Sequence, residues 1–202
     1  DEEEALKYIK ISADSGNNEA MLKYGKMIYQ GEGIAVDKKA AAKYFKMSAD
    51  QGNINAMLKY GNMIYRGDGI TVNKKKEAAK YYKLSADKGN DEAMLSYGIM
   101  LNRGDEIAVN KKEAAKYFKM SADKGNVKAM MSYGIMINQG DGIEVDKKEA
   151  AKYFKMSADK GNVKAMMNYG IMLSRGEGIA VNKKEAARYF KMSADQGYIK
   201  AM

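Results

Sequence analysis

The chain has 202 residues and a formal net charge of +9, and it contains no Cys, His, Pro or Trp. That composition excludes disulfides, thiolate chemistry, imidazole bases and imidazole metal ligands, and so removes the usual parts of most hydrolytic and metal-dependent enzymes. No apolar run reaches the length of a membrane span.

The opening DEEEALKYIKISADSG, residues 1–16, reads as one helix closed by Gly. It begins with Asp and shows neither an initiating Met nor a signal peptide, so the chain is expected to be a piece of a longer protein. The compartment stays open, with the lack of Cys leaning toward an intracellular one.

Residues 17–52 set the unit that the rest repeats. A first helix is expected after an Asn N-cap and through NEAMLKYGKMIYQ, up to the first Gly of a G-x-G turn. A second helix starts at Asp37 and ends at Ala-Asp-Gln-Gly, where Gly supplies the left-handed residue after a helix C-terminus. Residues 53–89 form the next unit, with one extra Lys in NKKKE and the second-helix cap at Asn73. Units 90–125, 126–161 and 162–197 follow, with caps at Asn110, Asp146 and Asn182, and residues 198–202 open a further unit. Ala-Met pairs beginning at Ala20, Ala56, Ala93, Ala129, Ala165 and Ala201 mark steps of 36, 37, 36, 36 and 36 residues. The last two full units agree at 27 of 36 positions. Such a period signals a solenoid, in which each unit buries its apolar face only against its neighbours. The predicted fold is therefore all-α: a single array of about eleven helices, each roughly 18–20 Å long.

Local chemistry sharpens that picture. Glu stands three residues after the cap in Asn110/Glu113, Asp146/Glu149 and Asn182/Glu185, which predicts a capping box. Val36, Val109, Val145 and Val181 precede the caps and are expected to staple against an Ala inside the helix. Gly25, Gly61, Gly98, Gly134 and Gly170 sit in mid-helix, where Gly costs about 1 kcal/mol relative to Ala. A cost repeated five times implies a neighbour too close for a Cβ, with Ala41, Ala115, Ala151 and Ala187 expected to supply the facing surface.

The pattern A-x-x-x-Y-G-x-x-x-x-x-G-x-G-[IV], then D/N-K-K-x-A-A-x-Y-[FY]-x-x-[SA]-A-D-x-G, resembles the Sel-1-like repeat (SLR) family, relatives of the tetratricopeptide repeats, over nearly the whole chain. Departures are Glu106 for Gly, Ala40 for Glu, and Ser where the family usually begins its AA-x-x-G ending with Ala. The resemblance implies a right-handed α/α superhelix used as an adaptor for other proteins, with no shared catalytic residues. Some bacterial members are stapled by disulfides, which a chain without Cys cannot be.

Two surfaces are candidates for binding. In tetratricopeptide-like solenoids the first helices line the concave side. There the row Lys26, Asn62, Ile99, Ile135 and Ile171 varies between units and is expected to be exposed, as is the row Tyr29, Tyr65, Asn102, Asn138 and Ser174. Leu22, Leu58, Leu95, Met131 and Met167 lie four residues before the isoleucine row and so on the same stripe, unless they pack against the neighbouring repeat. Adaptable Met beside exposed Ile suits a groove for a protein partner.

The second surface is a basic ridge on the second helices, Lys111, Lys112, Lys116, Lys119, Lys147, Lys148, Lys152 and Lys155, which is either a solvated face or, as the alternative reading of the function, a dock for an acidic protein in a large assembly. Nucleic acid is disfavoured there because Arg is scarce and three successive units share Ile at the row a base reader would vary. The G-x-G-I turns lack the Lys-Ser/Thr of a phosphate loop and carry an acidic residue between the glycines. The run Asp141, Glu144, Asp146 and Glu149 departs from calcium-loop spacing and holds Lys147 and Lys148 in its middle. No cofactor, no metal and no catalytic set is expected, and the predicted role is a non-catalytic scaffold for partner proteins.

Overall fold

Residues 2–70 and 74–198 are described by the computed structural model. Among them are eleven α-helices and no strand: α1 Glu2–Asp14, α2 Asn18–Gln30, α3 Lys38–Asp50, α4 Ile54–Arg66, α5 Lys75–Asp87, α6 Asp91–Arg103, α7 Lys111–Asp123, α8 Val127–Gln139, α9 Lys147–Asp159, α10 Val163–Arg175 and α11 Lys183–Asp195. The expected opening of a further unit falls outside the described residues except for Tyr198. The chain divides into two compact units. Unit 1 holds residues 1–97 with 105–108, and unit 2 holds residues 98–104 with 109–202. In each, a first helix pairs with the second helix that follows, as α2 with α3, α4 with α5, α8 with α9 and α10 with α11.

The helices stop where the sequence tells them to. Asn17, Asn53, Asn126 and Asn162 sit in extended backbone and accept the N–H of Ala20, Ala56, Ala129 and Ala165. Asp37, Asn110, Asp146 and Asn182 likewise accept an N–H from the third residue on, capping the second helices. The return half of the capping box is different from that expected. The backbone N–H of each second-helix cap is already spent on a carbonyl in the last turn of the preceding helix, Asn110 on Leu101 and Asn182 on Leu173. Glu113 and Glu185 therefore accept from the cap's side-chain amide instead, at 3.0 and 3.2 Å. The valines before these caps are not sunk into a staple. Val145 is 54% exposed and lays its Cγ2 over the left-handed Gly140 that ends α8.

Each mid-helix Gly meets a ring, and this is where the expected facing alanines are wrong. A Cβ on Gly25 would lie 2.8 Å from Phe45 Cε1, and one on Gly134 equally close to Phe154 Cε1. Ala41, Ala115 and Ala151 are buried, while Ala187 is exposed on α11. The aromatic edge, not a small residue, claims the space. A second ring pair joins the same helices: Tyr24 meets Tyr44 edge-on at 4.9 Å between centroids, and Tyr133 meets Tyr153 at 4.8 Å. The second Tyr of each pair then donates its hydroxyl to the Asp that ends the previous second helix, Tyr44 to Asp14 and Tyr153 to Asp123. The Ser that departs from the family pattern is fully buried, and its hydroxyl donates to the first carbonyl of its partner helix, Ser48 to Asn18 and Ser157 to Val127.

One repeat of unit 1 breaks rank. With the extra Lys, the expected cap Asn73 lies outside the described residues, and the cap position of α5 is held by Lys74, which offers no side-chain bond. The carboxylate of Glu106, from the next repeat's turn, reaches the Lys76 N–H at 3.4 Å and takes over part of that task. Glu106 has φ +58°, the one non-glycine positive value among the described residues.

Candidate functional site

The outer face of the first helices carries the expected groove residues, and burial sorts them. Leu58, Leu95 and Met131 are 4%, 7% and 9% exposed and belong to the core. The expectation that this row offers contact surface is corrected. Met131 shows a reason within unit 2: its Sδ lies 3.9 Å from Asn168 Nδ2, so it sits in the seam between α8 and α10. Met167 stays half-buried, and the following first helix is outside the described residues.

Ile99, Ile135 and Ile171 are half-buried and line up at equivalent positions of unit 2. Beside them Asn138 Oδ1 accepts from Lys147 Nζ at 2.9 Å, and Ser174 donates to its own helix at the Ile171 carbonyl. Asn102 Oδ1 is buried with no hydrogen-bond partner among the described residues.

In unit 1 the same rows hold other chemistry. Tyr29 and Tyr65 donate to Asp68 and Asp105 at 3.0 and 2.9 Å, and an ammonium lies 5.6 Å from each ring centroid, Lys38 on Tyr29 and Lys75 on Tyr65. Tyr65 is thus a latch between repeats, its hydroxyl already engaged. The latch explains the acidic residue of the G-x-G turn, whose role the sequence did not reveal. That residue takes the first Lys of the previous second helix: Lys38–Asp68 at 2.8 Å, Lys75–Asp105 at 3.7 Å, Lys111–Asp141 at 2.6 Å and Lys147–Glu177 at 3.3 Å. The signal was present as a Lys and an acid recurring thirty residues apart, as in Lys111 and Asp141. The second glycine of the turn lets the backbones meet, because a Cβ on Gly142 would lie 2.5 Å from Lys111 Cβ. The Lys38 ammonium, and after it the Tyr29 hydroxyl, holds the Asp68 carboxyl below its ordinary value.

Between α2, α3 and α4 the latch walls a cleft of about 360 Å³. Lys26, Lys59 and Arg66 line it, none with an ion pair among the described residues. Asn62 also lines it, and its Oδ1 accepts from the Tyr82 hydroxyl at 2.8 Å. Sequence reading passed over Lys59 and Arg66. What could have found them is the drift from Lys59 to Ser96 and Ser132 along one row.

The basic ridge is interrupted. Lys111 and Lys147 are taken by the latch, Lys119 lies 3.4 Å from Asp123 and 3.8 Å from Glu149, and Lys155 lies 2.6 Å from Asp159. A hydrogen bond to Tyr153 raises the Lys119 ammonium well above its ordinary value. Lys112, Lys116 and Lys148 are exposed with no ion pair among the described residues, and Lys152 sits 5.9 Å from the Tyr153 ring centroid. Half of the expected ridge is therefore internally neutralised. Among the described residues there is no cluster of three or more acidic side chains placed to hold a metal, and no helix long and apolar enough to cross a membrane.

Comparison with known proteins agrees with this architecture. Among solved structures, a protective antigen of uropathogenic Escherichia coli strains with an SLR fold superposes with a TM-score of 0.93 at 26% identity, over 98% of this chain and 42% of the antigen. The chain thus spans under half the length of that relative. A Sel1 repeat protein from Oxalobacter formigenes gives 0.89 at 26% identity, over 98% of this chain and 81% of its own. An immunity protein from Pseudomonas aeruginosa gives 0.54 at 16% identity, over 94% and 72%, a likeness of fold alone. Comparison with curated protein sequences gave no match. A family model described as Sel1 repeat matches residues 1–17, 18–53, 54–90, 91–126, 127–162 and 163–198. With the two-helix unit, its glycine stops and its interlocking rings all accounted for, the chain belongs to the Sel1 repeat family.

Proposed function

We propose that this chain is a non-catalytic scaffold that holds partner proteins in a groove lined by its first helices, with Ile99, Ile135 and Ile171 of unit 2 as the apolar contact. Members of the family generally serve as protein-interaction scaffolds. The observation that carries the assignment is the isoleucine row itself. It is half-buried between rows that are buried or, Asn102 Oδ1 excepted, hydrogen-bonded, and no latch between repeats uses it. An aliphatic residue repeated at one position and left partly in water fits an interaction surface. Met167, half-buried on α10 of the same unit, lies four residues before Ile171 on the same stripe.

The test is affinity capture from a native lysate at low and high salt with the wild-type chain and with Ile99→Ser, Ile135→Ser, Ile171→Ser combined. The helix signal in circular dichroism is expected to be unchanged, and a salt-resistant partner held by the wild type is expected to be lost. Retention of every partner by the triple variant removes the isoleucine row from the function.

A further inference from the structure

We propose that the cleft between α2 and α4 of unit 1 is a binding site for an acidic, extended peptide segment of a partner protein. This rests on the scaffold reading and gives it a second contact with its own chemistry. Lys26, Lys59 and Arg66 all line the cleft, and none has an ion pair among the described residues. The one carboxylate on its wall, Asp68, is held by Lys38 at 2.8 Å and by Tyr29 at 3.0 Å; its charge also acts on Arg66, and it leaves Lys26 and Lys59 without an ion pair. The Asn62 Oδ1 accepts from the Tyr82 hydroxyl, which leaves the amide hydrogens of Asn62 for a ligand. The cleft thus offers donors and positive charge to a ligand that is all acceptor.

Spacing selects among such ligands. Lys59 and Arg66 are seven residues apart on α4, about 10 Å along the helix. Lys26, on α2, stands at the repeat position of Asn62, between them in register. One small anion cannot meet all three. An extended chain places alternate side chains about 7 Å apart on one side, so carboxylates on alternate residues can. Single-stranded nucleic acid has comparable charge spacing but needs aromatic faces on which to stack bases. Here the Tyr29 ring faces the Lys38 ammonium and Phe45 is buried. The cleft volume, about 360 Å³, admits a few side chains.

Other repeats supply fold-compatible replacements for each cation. Ile135 occupies the position of Lys26, Ser132 that of Lys59, and Gln139 that of Arg66. The experiment is fluorescence anisotropy at low ionic strength with a labelled, glycine-flanked tetraglutamate peptide. The proteins are the full chain, the cleft variant Lys26→Ile, Lys59→Ser, Arg66→Gln, and a control that loses the same charge elsewhere, Lys124→Gln, Lys160→Gln, Lys164→Asn, at positions that are exposed and outside both candidate surfaces. The cleft variant is expected to bind at least about tenfold more weakly, while the control stays within about twofold. An equal loss in both variants, or no binding by the wild type, overturns the proposal. So does displacement of the peptide by a thymidine oligonucleotide or by inorganic phosphate at lower concentration than by unlabelled peptide. The scaffold reading is judged separately, by partner capture with the isoleucine variant, so the two can fail independently.

Discussion

On the first helices of unit 1 the outer row reads Lys26 and Asn62, flanked by Lys59 and Arg66; in unit 2 the same row reads Ile99, Ile135 and Ile171, flanked by Ser132 and Asn168. One residue beneath the surface, the two units are alike. Phe45 closes on Gly25 as Phe154 closes on Gly134, and the edge-on Tyr pairs differ by only 0.1 Å between centroids. The lesson is that the packing and the outer face are separately specified. Rings, glycines and caps fix where the helices lie, and the outer row is then free to carry whatever chemistry a partner selects.

That separation can be broken, and the largest effects test the shared interior. Phe45→Ala and Phe154→Ala are each expected to cost about 3–5 kcal/mol, read from urea unfolding followed by circular dichroism. A mild loss in one unit beside a full loss in the other contradicts equal interiors. Ser48→Ala and Ser157→Ala each delete a buried hydroxyl that donates to a carbonyl, and each is expected to cost about 1 kcal/mol.

Acid sharpens the comparison from another side. Burial alone would raise the carboxyls of Asp50 and Asp159, but a lysine four residues earlier and a tyrosine hydroxyl outweigh it and hold both below their ordinary value of 3.8. A lowered folded value gives stability that is present above 3.8 and is lost as the pH falls through the folded value. Thermal melts are therefore expected to weaken only below about pH 4, in variants of either unit alike. At the alkaline end the sign reverses. Burial, then Asp159, pushes the Tyr189 hydroxyl up to about 12, so that tyrosine's contribution persists below its ordinary value of 10.0 and is lost as the pH rises toward 12. The smallest expected effect is on the outer row itself. Ser132→Lys with Ile135→Lys, which writes the unit 1 face into unit 2, should change stability by no more than about 0.5 kcal/mol. A larger loss means that the isoleucines pack more than their exposure indicates.

Much of the fold was legible because its punctuation is local. Asn caps, left-handed glycines and the 36-residue step each act within a few residues, and the second-helix starts at Asp37, Asn110, Asp146 and Asn182 follow directly from them. What was not legible depends on contacts across repeats. Met131 and Ile135 are both apolar on one helix face four residues apart, and only packing across repeats leaves the first buried, beside Asn168 of α10, and the second half-buried. The mid-helix glycines announced a close neighbour, but the ring that fills the space lies on another helix twenty residues away, as Phe45 does from Gly25. The lysines looked uniform, yet those at the helix start are claimed by an acid in the following turn while Lys112 and Lys148 are not.

The partnership of Lys76 with Glu106 has a practical consequence for anyone who would edit this array. Repeats invite cutting and splicing at the period, and the near-identical segments 126–161 and 162–197 should tolerate exchange or duplication. The segment from Lys74 to Glu106 should not be divided. A splice that brings in a glycine-bearing turn leaves the start of α5 without its borrowed carboxylate. A splice that removes the extra Lys leaves Glu106 in a left-handed backbone with no helix end to serve. Two departures that look independent in the sequence travel as one part.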